Sequence, residues 1–387
     1  MSASFLITGL RGPAALDWVR RLGRAGHRVA AADSLRWPIG RKSRYLSHYE
    51  VLPYAREDSL AYALTVKRAA EEFGADWIIP NCEEIFFLAR HREIFTGKAR
   101  LLAEPLEVLE MLHHKGKFAR FTQTSDGPAF KIQAPESHEF RSREAFEVFV
   151  STQPSGSLDH WVLKATFSRF AAQVKIKPTL EDCRSIHPTV DNPWIAQRFI
   201  PGTPSCSYSL AIDGVITAHT AYFPKHSIDG GAGFYFEPLV RPDLLEFASE
   251  VVARLNFSGQ IAFDFIDSES GVRVIECNPR ATSGVFLLNS SDPLPYFSAT
   301  GGQDLWPMTM TPKMIGSGMI FYPGRRARWH DYRRGTDVLS PPDDRVGILA
   351  RPRQLWELLQ RSKELDNHYN LIASATDDFE WNGGPMR

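Results

Sequence analysis

Apolar and polar positions along this chain follow two periods, and the changes of period divide it into units. Residues 5–8 are a short apolar run that ends in a glycine turn, Gly9 to Gly12. Residues 13–26 carry apolar positions at helical spacing, with Pro13 at the start and Gly26 where a helix would end. A second apolar run at 29–33 closes with Asp33. Strand, helix, strand in that order predicts an open parallel sheet. The unit continues through a helix over 59–73 and a buried strand over 77–80, ending in Asn81-Cys82-Glu83-Glu84. A strand from Leu101 and a helix over 105–112 follow. Beyond Trp161 strand-like runs dominate: 161–164, 194–200, and then 207–212 and 215–221 around Asp213-Gly214, a strong hairpin signal. An amphipathic helix is predicted over 242–255. A last hairpin pairs 261–266 with 272–277 across a polar turn ending in Gly271. Three basic residues, Arg325, Arg326 and Arg328, read as a solvated turn, 352–365 as a helix, and the polar end 377–387 as frayed.

Composition narrows the class. A chain of 387 residues, 43% hydrophobic and 23% charged, suits a soluble protein of two or three domains. Lys+Arg and Asp+Glu stand at 45 each, which gives nucleic-acid binding no support. No apolar run approaches the length of about 18 residues expected of a membrane span. The N-terminus lacks the basic lead-in and long apolar stretch of a secretory signal. Cys82, Cys183, Cys206 and Cys277 are widely spaced and read as buried free thiols. The expectation is a cytoplasmic protein with no membrane or nucleic-acid partner.

The last hairpin carries the chemistry. Side chains two apart on a strand share a face, so Glu276 and Asn278 aim together. The hairpin can bring Asp264 beside them. A carboxylate inside an apolar strand is costly unless paired or metal-bound. Two carboxylates and an amide oxygen suit Mg²⁺ with phosphate ligands, and the guanidinium of Arg280 can hold a phosphoryl group. The competing reading is an acidic hairpin capped by an Asn-Pro turn. Elsewhere, Lys115 and Lys117 open a helix, and Lys164 ends the apolar strand Trp161-Val-Leu-Lys164. A compact ammonium beside exposed backbone N–H groups is what phosphate binding needs. In the first unit, Gly9-Leu-Arg-Gly12 departs from the G-x-G-x-x-G of a dinucleotide site. Glu83 and Glu84 suit either a helix start or a substrate site.

Glu276-Cys-Asn278-Pro-Arg280, with Ser283-Gly284 behind it, resembles the E-x-N-P-R signature of ATP-grasp ligases, closest to the carbamoyl-phosphate-synthase-like branch. The resemblance covers about residues 1–300. It implies an α/β and α+β architecture: a Rossmann-like N-terminal (pre-ATP-grasp) domain over 1–112, followed by a two-subdomain ATP-grasp fold. That fold would comprise a nucleotide-binding lid over 113–205 and a metal and catalytic subdomain over 206–330, with a C-terminal extension over 331–387. It implies that Asp264, Glu276 and Asn278 hold Mg²⁺ (Mn²⁺ as a substitute) and that Arg280 contacts the transferred phosphate. Lys115 and Lys164 are implied to reach the phosphates of ATP. Gln197-Arg-Phe199-Ile200 resembles the linker that meets adenine, with Gln197 where glutamate is usual. The segment after Lys164 resembles the phosphate loop but contains no glycine through Ala172, and Arg169 could supply charge there instead. The glycine-rich stretch after His226 (Gly230, Gly231, Gly233) reads as a loop, flexible and exposed on its residues alone; the resemblance implies instead that Lys225, His226 and Tyr235 there, with Ser283 and Gly284, lie next to the acceptor substrate.

The function so implied is joining a small-molecule carboxylate to an amine through an acyl phosphate, with release of ADP and phosphate; homodimerisation stays open. The alternatives are an NAD(P)-dependent oxidoreductase using the N-terminal unit, a bicarbonate-using carboxylase, and a non-catalytic nucleotide-binding protein of the same fold.

Overall fold

A computed structural model of the chain describes residues 2–124, 128–154, 157–167, 173–228, 231–289, 291–300, 309–322, 328–345, 347–364, 376–384 and 386. The N-terminal unit is a parallel sheet of β1 (Ser4–Thr8), β2 (Arg28–Asp33), β3 (His48–Val51), β4 (Trp77–Ile79) and β5 (Arg100–Leu101) in the order β3-β2-β1-β4-β5. Its central strand is buried throughout. Phe5 and Ile7 join the core containing Trp18, Val19 and Leu22 of the helix Pro13–Arg24, while Leu6 joins the core of the helix Ser59–Phe73. Pro13 opens the first of these helices, and Asp58 caps the second by accepting from the Ala61 N–H at 2.8 Å. Strand β3 escaped the pattern because its sequence, His-Tyr-Glu-Val, lies on the sheet edge with its side chains half-buried or exposed.

A second sheet, antiparallel, contains β6 (Ser137–Phe140), β7 (Trp161–Ala165), β8 (Val174–Ile176) and β9 (Trp194–Arg198) in the order β6-β9-β7-β8. It has a core of its own around Phe140, Phe146, Trp161, Leu163 and Trp194. The third sheet holds β10 (Thr203–Ile212), β11 (Val215–Ser227), β12 (Gly233–Leu239), β13 (Gly259–Ser268), β14 (Gly271–Asn278), β15 (Lys313–Met314) and β16 (Thr336–Asp337). Their order is β14-β13-β10-β11-β12-β15-β16, antiparallel except between β15 and β16. The β10–β11 turn has positive φ at both Asp213 and Gly214, the backbone an Asp-Gly hairpin turn adopts. One face of this sheet packs on Phe247 and Val251 of the helix Pro242–Leu255. The other shares a core with β1 and the helix Pro13–Arg24 through Tyr208, Leu210, Phe286 and Phe297. The first and third sheets are therefore one packed body.

Four expectations need correction. In the glycine-rich stretch after His226, Ser227 ends β11 and Gly233 already begins β12, with Asp229 and Gly230 outside the described residues. Arg328 is buried and donates to the Met319 and Tyr322 carbonyls, so it is no solvated turn residue; Arg325 and Arg326 lie outside the described residues. The helix expected over 352–365 begins earlier, as Gly347–Glu364. Among its described residues the polar end is not frayed: Asp378, Phe379 and Trp381 are buried, because Arg11 offers a buried cation to Asp378 and a flat face to Phe379. All four cysteines are free thiols, and no described helix is long and apolar enough to cross a membrane.

Candidate active site

Strands β13 and β14 place Asp264 directly opposite Glu276, and a bulge follows between Asp264 and Phe265. Asn278 donates through Nδ2 to Asp264 Oδ2 at 3.2 Å and accepts at Oδ1 from Arg280 Nη2 at 3.0 Å. Cys206 on β10 stands opposite Asp264 and gives it a thiol hydrogen bond. Burial, then the like charge of Glu276, push the Asp264 carboxyl up to about 6. Burial works the same way on Glu276, but Lys115 and Lys164 outweigh it and hold that carboxyl below its ordinary value. Two facing carboxylates, one of them raised by the other, are a site where an added cation relieves repulsion. The donor set fits a hard divalent cation on that ground; Asn278 would have to exchange its bond to Arg280 to contribute its oxygen.

Two lysines converge on these carboxylates from different elements. Lys115 begins the helix Lys115–Thr124, which packs on β14, and its buried Nζ lies 3.3 Å from Glu276 Oε1. Lys164 comes from β7, opposite Ile195, and donates to Gln197 Oε1 at 2.8 Å. Burial, with Lys115 adding to it and Glu276 and Asp264 opposing, brings the Lys164 ammonium down to about 8. Gln197 continues the network by donating to Ser137 Oγ at 3.3 Å. Ile200 and Ser137 both line an open groove of about 470 Å³ beside the linker. Phe199 donates its N–H to the His160 carbonyl at 2.7 Å, and Lys177 lies over its ring. After Lys164 the chain is held by Thr166 N–H to the Pro193 carbonyl, 2.9 Å. Phe167 lies beside the His113 and His114 rings, and 168–172, Arg169 included, lie outside the described residues.

The other expected residues fall in two places. Ser283 and Gly284 open the short helical turn Ser283–Leu287 behind Arg280. Gly284 is required by packing: a Cβ there would overlap Tyr208 Cβ, and the Gly284 carbonyl accepts from Thr220 Oγ1 at 2.9 Å. Lys225 and His226 sit at the far end of β11, bonded to the buried Asp331 at 2.9 and 2.8 Å. Their contacts are with Asp331, Glu237 and Tyr235, not with the hairpin carboxylates. Lys117 pairs with Glu110 on the surface side.

Arg280 has a buried partner in Glu83, one of the two acids that suited either a helix start or a substrate site, and Glu83 in turn gathers His113 and Trp381, which were not expected there. Glu83, wholly buried just beyond the end of β4, lies 3.6 Å from Arg280 Nε and 3.7 Å from His113 Nε2, and accepts from the Trp381 N–H at 3.3 Å. Glu83 had a signal, an acid at the carboxyl end of a parallel strand; His113 and Trp381 had none. The dinucleotide alternative meets an obstacle at Asp33, the acid a ribose would need. Asp33 is fully buried and accepts from the Arg11 backbone N–H (2.7 Å), Arg11 Nε (2.9 Å), Arg11 Nη2 (2.6 Å) and the Leu35 N–H (2.9 Å).

Residues 138–284 match the family model of an ATP-grasp domain. Among solved structures, the chain is similar to L-amino acid ligase from Bacillus licheniformis at 16% identity and a TM-score of 0.54, over 73% of this chain and 68% of that one. It is similar to N5-carboxyaminoimidazole synthetase from Staphylococcus aureus complexed with ADP at 11% identity and a TM-score of 0.60, over 86% of each chain. A third likeness is to a β-γ-ATP complex of biotin carboxylase from Campylobacter jejuni, at 14% identity and a TM-score of 0.54, over 73% and 66%. A search of curated proteins gave no match. Identities this low speak for the fold, and the family match speaks for the domain. Together they show an ATP-grasp domain match over residues 138–284 and, across most of the chain, the fold of these solved structures.

Proposed function

We propose that the chain is an ATP- and Mg²⁺-dependent ligase that joins a carboxylate to an amine, a member of the carbamoyl-phosphate-synthase-like branch of the ATP-grasp superfamily. The observation that carries this reading is the meeting of Lys115, Lys164, Asp264, Glu276, Asn278 and Arg280 from two sheets and a helix. Phosphoryl transfer needs little acid–base help from the protein; it needs positioning and charge neutralisation. A carboxylate oxygen attacks the γ-phosphorus, the bond to the bridging oxygen breaks, and ADP leaves. The amine then attacks the acyl carbon, phosphate departs, and the new amide nitrogen loses a proton.

On this reading Lys115 and Lys164 bind the phosphates, and Arg280 binds the group in transfer. Gln197 and the linker through Phe199 and Ile200 meet the base. Bound Mg²⁺, held by Asp264, Glu276 and Asn278, would neutralise phosphate charge. Lys164, brought down to about 8 by burial, regains full protonation when an anion replaces its neutral partner Gln197. Residues 1–112 would form a wall of the substrate cleft.

A coupled ADP-release screen tests the reading, crossing carboxylates (bicarbonate among them) with amines in the presence of Mg²⁺. Release that requires one carboxylate and one amine supports the ligase; release with bicarbonate in place of an organic acid moves the chain to carboxylation. Glu276→Gln should abolish ADP formation with the fold intact, since it replaces a ligand by an isostere. Near-wild-type turnover in Glu276→Gln would refute the metal assignment. Calorimetry should show Mg-ATP or Mg-ADP binding and no binding of NAD(H) or NADP(H); the reverse would move the site to residues 9–33.

A further inference from the structure

Two stretches of chain pass between the sheet β6-β9-β7-β8 and the third sheet. Residues 133–136 lead into β6, and residues 199–202 lead from β9 to β10. The first stretch is held at both ends. At one, the Val274 N–H donates to the Gln133 carbonyl at 3.3 Å, where the chain runs parallel beside Arg273; at the other, Ser137 pairs with Gln197. Gln123 Nε2 fixes the middle by donating to the Ala134 and Pro135 carbonyls, each at 3.0 Å. Both stretches, with Gln123 and Arg273, line the open groove of about 470 Å³. That is the size of a small-molecule site.

The two cations of this groove come from different bodies. Arg198 ends β9, and neighbours on a strand point to opposite faces, so it faces away from Gln197 and Lys164. Its guanidinium lies over Trp161, ring centre 5.4 Å away, and Trp161 belongs to the separate core of that sheet. Arg273 stands near the turn end of β14, opposite Ile266. Neither guanidinium has a carboxylate partner among the described residues. Glu136 lines the groove as well, but its carboxylate is engaged by His138 Nε2 at 3.0 Å. A guanidinium from each body, with the nearby acid turned to a histidine, suits an anionic ligand that both can grip through paired N–H donors.

We propose that this groove is a binding site for a small organic dianion, a dicarboxylate or a phosphorylated acid, that joins Arg198 of one sheet to Arg273 of the other. Its consequence for the active site rests on the ligase reading above. Ser137 lines the groove and accepts from Gln197, which accepts from Lys164, so the groove wall is two hydrogen bonds from a lysine assigned to phosphate. Mg-nucleotide needs that lysine and the carboxylates of β13 and β14 at once. A dianion that ties β9 to β14 holds them together before the nucleotide arrives, and so strengthens its binding. Linkage then requires the nucleotide to strengthen the dianion by the same factor, and couplings of this kind run to about 5–150-fold.

The test uses the full-length protein, succinate and phosphoglycolate as probes, and the variants Arg198→Gln and Arg273→Gln. Calorimetry measures each probe with and without Mg-ADP, and Mg-ADP with and without saturating probe; thermal melting checks folding. Binding of either probe supports the site, and the tighter one names the headgroup. Each variant should weaken the probe at least about tenfold, the worth of a lost hydrogen bond to a charged group. In the wild type the probe should raise Mg-ADP affinity at least about fivefold. Arg273→Gln should lose that gain while binding Mg-ADP as the wild type does without probe. No binding of either probe overturns the proposal, as does binding that both variants retain. A probe that weakens Mg-ADP in proportion to its concentration also overturns it, by making the groove part of the nucleotide site. Probe binding that needs both arginines yet leaves Mg-ADP affinity unchanged overturns the coupling. A wild-type protein that binds a probe through both arginines and binds no Mg-ADP at all refutes the ligase reading instead, and leaves the anion site standing.

Discussion

Arg280 is where the proposed chemistry and the packing can be pulled apart. Replacing it by alanine removes a donor aimed at developing phosphoryl charge, a loss that typically costs about 10²–10³ in rate. It also removes a cation from beside Glu83, which is wholly buried. Breaking a buried pair from one side can cost about 3–5 kcal/mol. The figure here should be nearer 1–3 kcal/mol, roughly that of one unsatisfied buried polar group. The pair is long at 3.6 Å, Arg280 keeps 16% exposure, and Glu83 retains His113 at 3.7 Å and the Trp381 N–H at 3.3 Å. Arg280→Ala should therefore lower both turnover and the urea midpoint. Glu83→Gln in the Arg280→Ala background removes the stranded charge, so the double variant should regain most of the lost stability. Turnover, measured as ADP release at saturating Mg-ATP, should stay at the level of Arg280→Ala. Arg280→Lys should fall between, keeping the charge and losing the two-pronged geometry. Recovery of turnover along with stability in the double variant would refute the reasoning: Arg280 would then be the neutraliser of Glu83, and the phosphoryl site would lie elsewhere.

Two further outcomes follow from the packing. His219 is wholly buried beside Ser209, and burial brings its imidazole down to about 3, below an unfolded value near 6.5. The unfolded chain therefore binds the extra proton between those values, and the stability held above pH 6.5 is lost as pH falls toward 3, by about 1.4 kcal/mol at pH 5.5. Urea unfolding at pH 7.5 and 5.5 should show that difference in wild type relative to His219→Gln, and equal slopes with pH would contradict it. Gly284→Ala should cost about 1–3 kcal/mol through the overlap with Tyr208; a variant that is fully stable but inactive would instead make Gly284 a substrate contact.

The hairpin that carries the proposed metal ligands was legible as a hairpin because its information is local. The turn residues set the register, the register sets which side chains face one another, and Asp264, Glu276 and Asn278 need nothing else to meet. Lys164 was legible for a similar reason, as a cation ending an apolar strand. The group gathered at Glu83 was not, because Arg280, His113 and Trp381 each reach it from a distant part of the chain. Glu83 could be seen as an acid at a strand end, but whether it faced the helix or the cleft depended on where Arg280 would lie. Trp381 sits in a stretch rich in Asp, Asn and Gly that reads as exposed. It is buried only because Arg11, some 367 residues from Asp378 in sequence, is itself held by Asp33 and offers its remaining donors to the tail. Lys225 and His226 show the converse. Their place near a glycine-rich turn suggested a substrate loop, and the residue that engages them, Asp331, lies beyond the part of the chain where any motif was readable.

The charge arrangement also explains why the candidate site straddles two bodies. Lys164 belongs to the sheet with its own core, whereas Asp264 and Glu276 belong to the sheet that shares a core with the N-terminal unit. Lys164 on one side, with Lys115, Asp264 and Glu276 on the other, leave the gap as a whole near neutrality. On the proposed reading, Mg-ATP inserts into that gap as a pair of matched layers, phosphate toward the lysines and cation toward the carboxylates. Either layer alone meets one friendly wall and one like-charged wall. ATP without the metal would face Asp264 and Glu276, and the metal without ATP would face Lys115 and Lys164. Nucleotide and cation binding are then coupled by electrostatics alone, and each should strengthen the other by the same factor.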